Sequence, residues 1–360
     1  MKVTIVFPFR DRDMQRVKRS LDSLQEQTCN DFIVMFIDYG SNPNLSKEIK
    51  ALVIHYSFVA YYYLHTQYQP WNKSKALNYA LNKTQTEFFF VADIDMIFKT
   101  DFITVALHQI SDLSRNVYFK VGYLSQEESK KIKIFEAYNI QFESNFEATG
   151  LTLFCTADLK NIGGFDEFFH FWGSEDTEVQ LRLKNSGRTV LFYDEQILLL
   201  HQWHPSYMRA EKKQLTTHLQ LSNVIRLNFH HLNFTLKNKK QKIVRSNEPQ
   251  IITEEIFLAL NNEKENLLIF NIKDDLTHFL FVELPKFRGG ILKVRFVEDP
   301  FAKTFKYHIK RLLGKKVPQY CTLKEINDQV LLHIISFYHQ YPYMYQVSPD
   351  LKSITFAIKK

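Results

Sequence analysis

Four short apolar runs alternate with helix-patterned segments through the first hundred residues, and this alternation constrains the fold more than any other feature. The runs are Val3–Phe7, stopped by Pro8, then Phe32–Ile37, Ala60–Leu64 and Phe88–Ala92. Between them, Asp13–Gln27 carries Val17, Leu21 and Leu24 at helical spacing. Residues 46–54 read as helical, and Asn72–Asn82 carries Ala76, Leu77, Ala80 and Leu81. Short alternation of strand and helix predicts an α/β fold, a parallel sheet with helices on both faces.

Beyond Thr100 the pattern is less regular. Val117–Leu124 and Phe142–Ala157 contain strand-like stretches, and Glu175–Ser186 reads as a helix. Val190–Tyr193 and Ile197–His201 read as short strands. Composition shifts after Pro205. Glu211–Leu236 is polar with Leu221, Val224, Ile225 and Leu232 at helical spacing, and it runs into the basic stretch Lys237–Lys242, read as a solvated linker. Farther on, Leu267–Ile272, Phe279–Leu284 and Ile291–Val297 look like strands and Leu323–Tyr338 like a helix. The expected organisation is an α/β domain over 1–210, a basic helical linker over 211–248 and a smaller C-terminal α+β unit over 249–360. A length of 360 residues accommodates both units.

Composition narrows the setting. A 45% hydrophobic chain with 24% charged residues buries a real core. The net charge of +7 is modest. It suits anionic substrates or an anionic membrane surface and does not argue for nucleic acid. Cys29, Cys155 and Cys321 are odd in number and show no metal-binding spacing, which favours a reduced compartment. The chain opens directly on a strand pattern, so no signal peptide is expected. No apolar run approaches the roughly eighteen residues of a membrane span. The expected location is the cytoplasm, with the inner membrane face as a resting place.

Two acidic signatures carry the chemistry. Asp93-Ile94-Asp95 follows the apolar run Phe88–Ala92. A buried strand ending in two carboxylates delivers them to its carboxyl edge, where open α/β sheets bind ligands. Such acids can hold a divalent metal against a diphosphate, or simply cap the next turn. The second signature is Trp172-Gly173-Ser174-Glu175-Asp176, behind Gly163-Gly164-Phe165-Asp166. Acids at a helix start meet the dipole favourably, and one of them can take a proton from a sugar hydroxyl. Trp172 offers a face for a sugar ring or for core packing. His201 and His204 close the run Ile197–Leu200 and are either hydrogen-bonded or ligands for a Mn²⁺-like ion.

These residues, in this order, resemble family-2 glycosyltransferases of the GT-A fold over about the first 205 positions. The resemblance rests on Val3–Arg10, Ser20–Thr28, Ile37-Asp38-Tyr39-Gly40-Ser41, Pro70–Asn78 and Asp93-Ile94-Asp95. Gly163–Asp166 through Asp176, with Glu178 and Arg182, is similar to the acceptor-side motif of chondroitin-polymerase-type, β-galactosyltransferase and polypeptide N-acetylgalactosaminyltransferase enzymes. The resemblance implies that Pro8, Phe9 and Arg10 line a uridine pocket and that Asp38 bonds the uracil edge. It places Lys75 and Asn78 near ribose or diphosphate, Asp93 on the ribose, and Asp95 and His201 on Mn²⁺ or Mg²⁺. Asp176 becomes the base, with Glu175 and Trp172 on the acceptor. Where the family often has two adjacent acids, this chain has Asp38-Tyr39, a departure in base recognition. The implied activity is metal-dependent, inverting transfer from a UDP-sugar to a carbohydrate or glycolipid in bacterial surface or capsular polysaccharide synthesis. A retaining transferase and a non-catalytic glycan-binding or scaffold subunit are the alternatives. The resemblance does not extend to about the last 150 residues.

Overall fold

The computed structural model describes residues 2–110, 115–205, 214–243 and 252–360. Among them, residues 2–64, 71–205 and 225–243 form one compact unit, and 65–70, 214–224 and 252–360 form another.

The first unit opens with β1 (Val3–Phe9), α1 (Met14–Gln25), β2 (Phe32–Asp38), α2 (Pro43–Val53), β3 (Val59–Tyr63), α3 (Lys73–Lys83) and β4 (Phe88–Val91). β5 (Met96–Phe98), α4 (Phe102–Gln109), β6 (Arg115–Phe119), β7 (Val121–Leu124), β8 (Ile140–Glu143) and β9 (Thr152–Cys155) follow. Then come α5 (Thr156–Asn161), α6 (Glu175–Asn185), β10 (Thr189–Tyr193), β11 (Leu199–His201) and α7 (Val224–Lys237). Seven strands make a sheet in the order β10-β6-β9-β4-β1-β2-β3, and only β9 runs against its neighbours. A small second sheet has the order β5-β11-β7-β8. This is the α/β class with a large, mostly parallel sheet that the alternation predicts.

Strand parity builds two apolar layers. β1 sends Val3, Ile5, Phe7 and Phe9 to one face and Val6 to the other, and β4 divides Phe88 and Phe90 from Phe89 and Val91. The first face packs on Val17, Leu21 and Leu24 of α1 and on Phe102, Ile103 and Ala106 of α4. The second packs on Ala76, Leu77, Ala80 and Leu81 of α3 and on Val179 and Leu183 of α6. The helices cover both faces because their apolar stripes have to be buried somewhere.

Several boundaries differ from the sequence reading. Pro8 does not stop β1, which continues to Phe9. The Val6 carbonyl accepts from Ala92 on one side and the Phe9 carbonyl accepts from Tyr39 on the other. Alternation then turns the missing N–H of Pro8 toward β4, whose pairing with β1 has already ended at Val6↔Val91. The run Val117–Leu124 breaks at Lys120 because β6 joins the large sheet and β7 the small one. In the 211–248 segment, 211–213 and 244–248 lie outside the described residues, while 225–243 group with the first unit. Side chains of Asn228, His231, Thr235 and Lys240 bond to that unit, which explains the grouping.

The second unit contains α8 (Glu254–Asn262), β12 (Leu267–Phe270), α9 (Lys273–His278), a π-helical turn Phe279–Glu283 and α10 (Leu284–Lys286). It continues with β13 (Ile291–Val297), α11 (Phe305–Leu312), α12 (Leu323–Phe337), β14 (Tyr343–Val347) and β15 (Ser353–Lys359). Its sheet has the order β12-β13-β15-β14. Phe279–Leu284, expected as a strand, is helical. Leu276, Phe279, Leu280 and Leu284 are buried at helical spacing while Phe281 is exposed. Starting the pattern at Leu276 rather than Phe279 reveals the helix. Among the described residues no helix is long and apolar enough to cross a membrane.

Candidate active site

The two acids behind β4 part company. After Val91 the chain turns into β5, which pairs antiparallel with β11 in the register His201↔Met96. The Gln202 N–H donates to the Asp95 carbonyl at 2.9 Å. This pairing sets the Asp95 side chain against two imidazoles. His204 Nε2 lies 3.2 Å from Oδ2, and His201 Nε2 lies 3.6 Å from Oδ1. Tyr123 packs against the His201 ring with centroids 4.8 Å apart. Burial pushes His201 down from its ordinary pKa, which favours the neutral ligand form. The bond to Asp95 pushes His204 up. For Asp95 itself burial works against ionisation, but the two histidines outweigh it and hold the carboxyl down to about 2.

The donor set fits a metal. Asp95 Oδ1 is buried and makes no hydrogen bond, an arrangement that costs free energy unless a cation or donor satisfies it. Ligand atoms of Asp95, His201 and His204 all lie within 4.8 Å of one another. One carboxylate oxygen with two imidazole nitrogens suits a Mn²⁺-like ion. Asp95 and His201, the ligands the resemblance implies, stand here with His204, the other histidine the sequence offers as a ligand.

Asp93 turns toward α3 instead. Lys73 Nζ lies 3.3 Å from Asp93 Oδ1, 3.3 Å from Asp176 Oδ2 and 3.9 Å from Glu175 Oε1. Lys73 opens α3, whose N-cap Asn72 accepts from the Lys75 N–H. Burial alone would lower the Lys73 pKa, but Asp176, Asp93 and Glu175 together hold it above its ordinary range. Burial pushes the Asp176 carboxyl up to about 7, Glu175 and Asp93 add to the rise, and Lys73 opposes it. Gly150 leaves room here, since a Cβ on it would stand 3.2 Å from Asp176 Oδ2.

The loop that delivers Glu175 and Asp176 is unusual. Phe171, Gly173 and Ser174 have φ of 64°, 101° and 75°. Left-handed Phe and Ser are strained and persist only where the surroundings hold them. The Phe171 N–H donates to the Trp71 carbonyl at 2.8 Å. Asn228 of α7 donates from Nδ2 to the carbonyls of His170 and Trp172, each at 3.0 Å. Asp166 accepts from the Phe168 N–H and contacts His231 and Lys240, so its carboxyl is held well below the usual range despite burial. Asp166 therefore secures the loop, and Trp172, 47% exposed, projects from it.

The remaining sequence candidates take varied positions. Arg10 donates from Nε to the Tyr39 carbonyl at 2.6 Å, and its guanidinium lies 4.8 Å from the Tyr39 ring centre. Trp71 stands edge-on to Tyr39. Pro8 is buried, and Phe9 is packed in the core against Phe36. Asp38 is buried; Oδ1 accepts from the Ser41 N–H and Oδ2 from the Tyr61 hydroxyl. Burial pushes its pKa up while those bonds pull it back. Lys75 is buried, and burial lowers its pKa. Asn78 is not delivered to the acidic cluster. It donates to the Phe165 carbonyl and Glu167 Oε1 and accepts from the Phe165 N–H, so it orders the loop after Gly164. At Gly164, with φ 71°, a Cβ would stand 2.5 Å from Asn78 Oδ1.

Comparison with known proteins agrees with this geometry at the level of sequence families. Residues 4–162 match the model for glycosyl transferase family 2, and residues 130–203 match the model described as N-terminal domain of galactosyltransferase. Similar solved structures include S. aureus TarS 1–349 in complex with UDP, at 17% identity, with 56% of this chain and 60% of that chain covered and a TM-score of 0.43. GalNAc-T7 with UDP, GalNAc and Mn²⁺ matches at 14% identity, covering 56% of this chain and 43% of that one, with a TM-score of 0.43. The mannosyltransferase PcManGT from Pyrobaculum calidifontis in complex with GDP-Man and Mn²⁺ matches at 16% identity, covering 58% and 59%, also at 0.43. The match spans less than two thirds of the length of each of these chains.

Proposed function

Because the chain carries a family 2 glycosyltransferase domain, we propose that it is a metal-dependent, inverting enzyme moving a sugar from a UDP-sugar to a carbohydrate or glycolipid hydroxyl. The product on this reading is a bacterial surface or capsular polysaccharide. One observation carries it: Asp176 at the start of α6 and Asp93 at the end of β4 share the single cation Lys73. The acceptor-side acid and the first of the two strand-end acids therefore meet at one cation, which supports a base and a donor site working side by side.

Asp176 acts as general base. A carboxyl near pKa 7 is matched to taking a proton from a hydroxyl at neutral pH. Lys73 orients it and keeps enough of it ionised. Trp172, exposed at the loop tip, gives the acceptor ring an apolar face, and Glu175 lies beside it to accept hydroxyl hydrogen bonds. Arg10, Tyr39 and Trp71 form the cationic and aromatic group at the carboxyl ends of β1 and β2 that would receive the nucleotide. Asp95, His201 and His204 would hold the divalent ion, which supplies Lewis-acid stabilisation of the leaving diphosphate. The test is UDP release from a panel of UDP-sugars with Mn²⁺ or EDTA, for wild type and Asp176→Asn, followed by NMR of the product anomer. Wild-type rates in Asp176→Asn would overturn the base assignment, and retained anomeric configuration would overturn inversion.

A further inference from the structure

We propose that α11 of the second unit docks the protein onto an anionic lipid bilayer. The helix is amphipathic with its apolar stripe turned outward. Phe305, Ile309, Leu312 and Leu313 are 79%, 41%, 87% and 63% exposed, while Tyr307 is buried. At 3.6 residues per turn the four apolar side chains span an arc of about 100°, and Tyr307 lies about 170° from its centre. Tyr307 thus anchors the helix to the unit, packing against Phe301 and Tyr320. The opposite, apolar side faces water. A surface helix normally buries such a stripe.

Charge selects the occupant. Lys306 and Lys310 lie along one edge of the stripe, Lys303, Lys315 and Lys316 lie beyond its ends, and residues 300–324 contain no Asp or Glu. Glu298 reaches this group, paired with Lys303 at 2.7 Å. Thr304 caps the helix start, and Gly314, at φ 65°, ends it and leads into Lys315 and Lys316. An apolar stripe flanked by lysines matches an interfacial helix, whose apolar side enters the acyl boundary while its cations meet anionic headgroups. A soluble polyanion would engage the cations and leave the four apolar side chains wet. A second copy of the chain would bring the same cations face to face.

The test is flotation of the full chain with vesicles of phosphatidylcholine alone or with phosphatidylglycerol added. The full chain should float with the anionic vesicles, release in high salt and ignore the neutral ones. Phe305→Ser with Leu312→Ser and Leu313→Ser should lose flotation. Lys306→Gln with Lys310→Gln should weaken partitioning by about 25-fold, at about fivefold for each basic residue. All five positions are solvent-facing or nearly so, and circular dichroism checks that the variants stay folded. Partitioning is read without turnover, so failure of the transferase reading leaves this result standing. Three outcomes would overturn the proposal. The wild type could fail to float with anionic vesicles, or the apolar variant could float as well as wild type. Alternatively, a dimer in solution could dissociate in the apolar variant, making the stripe a self-interface.

Discussion

Lys73→Met should move the acidic limb of the pH–rate profile upward. The base must be ionised to work, so wild-type kcat/KM should rise with pH through about 7 and level off above it. Lys73 opposes the rise in the Asp176 pKa, whereas Glu175 and Asp93 promote it. Removing the cation therefore disfavours the ionised carboxylate. Lys73 Nζ stands 3.3 Å from Asp176 Oδ2. At that separation a unit pair is worth about 5 kcal/mol at an effective dielectric of 20 and about 1.3 kcal/mol in bulk water. With about 1.4 kcal/mol per pH unit, the limb should move up by about one to about three and a half units. Activity at pH 7 should fall about fivefold or more and recover partly at pH 9. Lys73→Arg keeps the charge and should leave the limb near its wild-type position. The assay is initial rate of UDP release at low donor concentration across the pH range. A Lys73→Met limb that stays near 7, or moves down, would refute Lys73 as the group that keeps Asp176 ionised.

Asp176→Asn should lower turnover by about a hundred- to ten-thousand-fold with UDP-sugar affinity within a few-fold of wild type, as read by single-turnover kinetics and donor titration. EDTA should abolish transfer and Mn²⁺ restore it. Asp95→Ala and His204→Ala should each weaken Mn²⁺ binding in the presence of UDP, measured by electron paramagnetic resonance. Asn228→Ala frees the carbonyls of His170 and Trp172. It should cost about 1–3 kcal/mol in denaturant unfolding and raise the acceptor KM more than the donor KM.

The fold was legible wherever a short apolar run met a helical stripe. β1 to β4 and α1 to α3 follow that pattern closely, because a strand buried on both faces must be apolar throughout and its covering helices cannot be. Legibility failed where a run served two partners. Val117–Leu124 is continuously apolar apart from Lys120, yet the two halves pair in different sheets. Phe279–Leu284 failed for a different reason. Six apolar-rich residues cannot separate a buried strand from a helix, and the deciding Leu276 lay outside the run.

The site was legible in its acids and obscure in what holds them. The resemblance gives Asp93 and Asp95 different roles, but nothing in Asp93-Ile94-Asp95 says that the chain turns between them. The separation comes from β5 pairing with β11, a contact over a hundred residues away in sequence. That turn gives the two carboxylates different partners: imidazoles for Asp95 and the shared Lys73 for Asp93. Lys73 lies within Pro70–Asn78, where the resemblance points to Lys75 and Asn78; α3 buries both of these. Asn228 carried no signal at all, being one polar residue in a segment read as a linker. Its importance follows from Phe171 and Ser174, whose left-handed backbone must be held from outside the loop. A strained loop at the start of α6 thus implies a clamp somewhere in the chain, and only the fold can say that the clamp is α7.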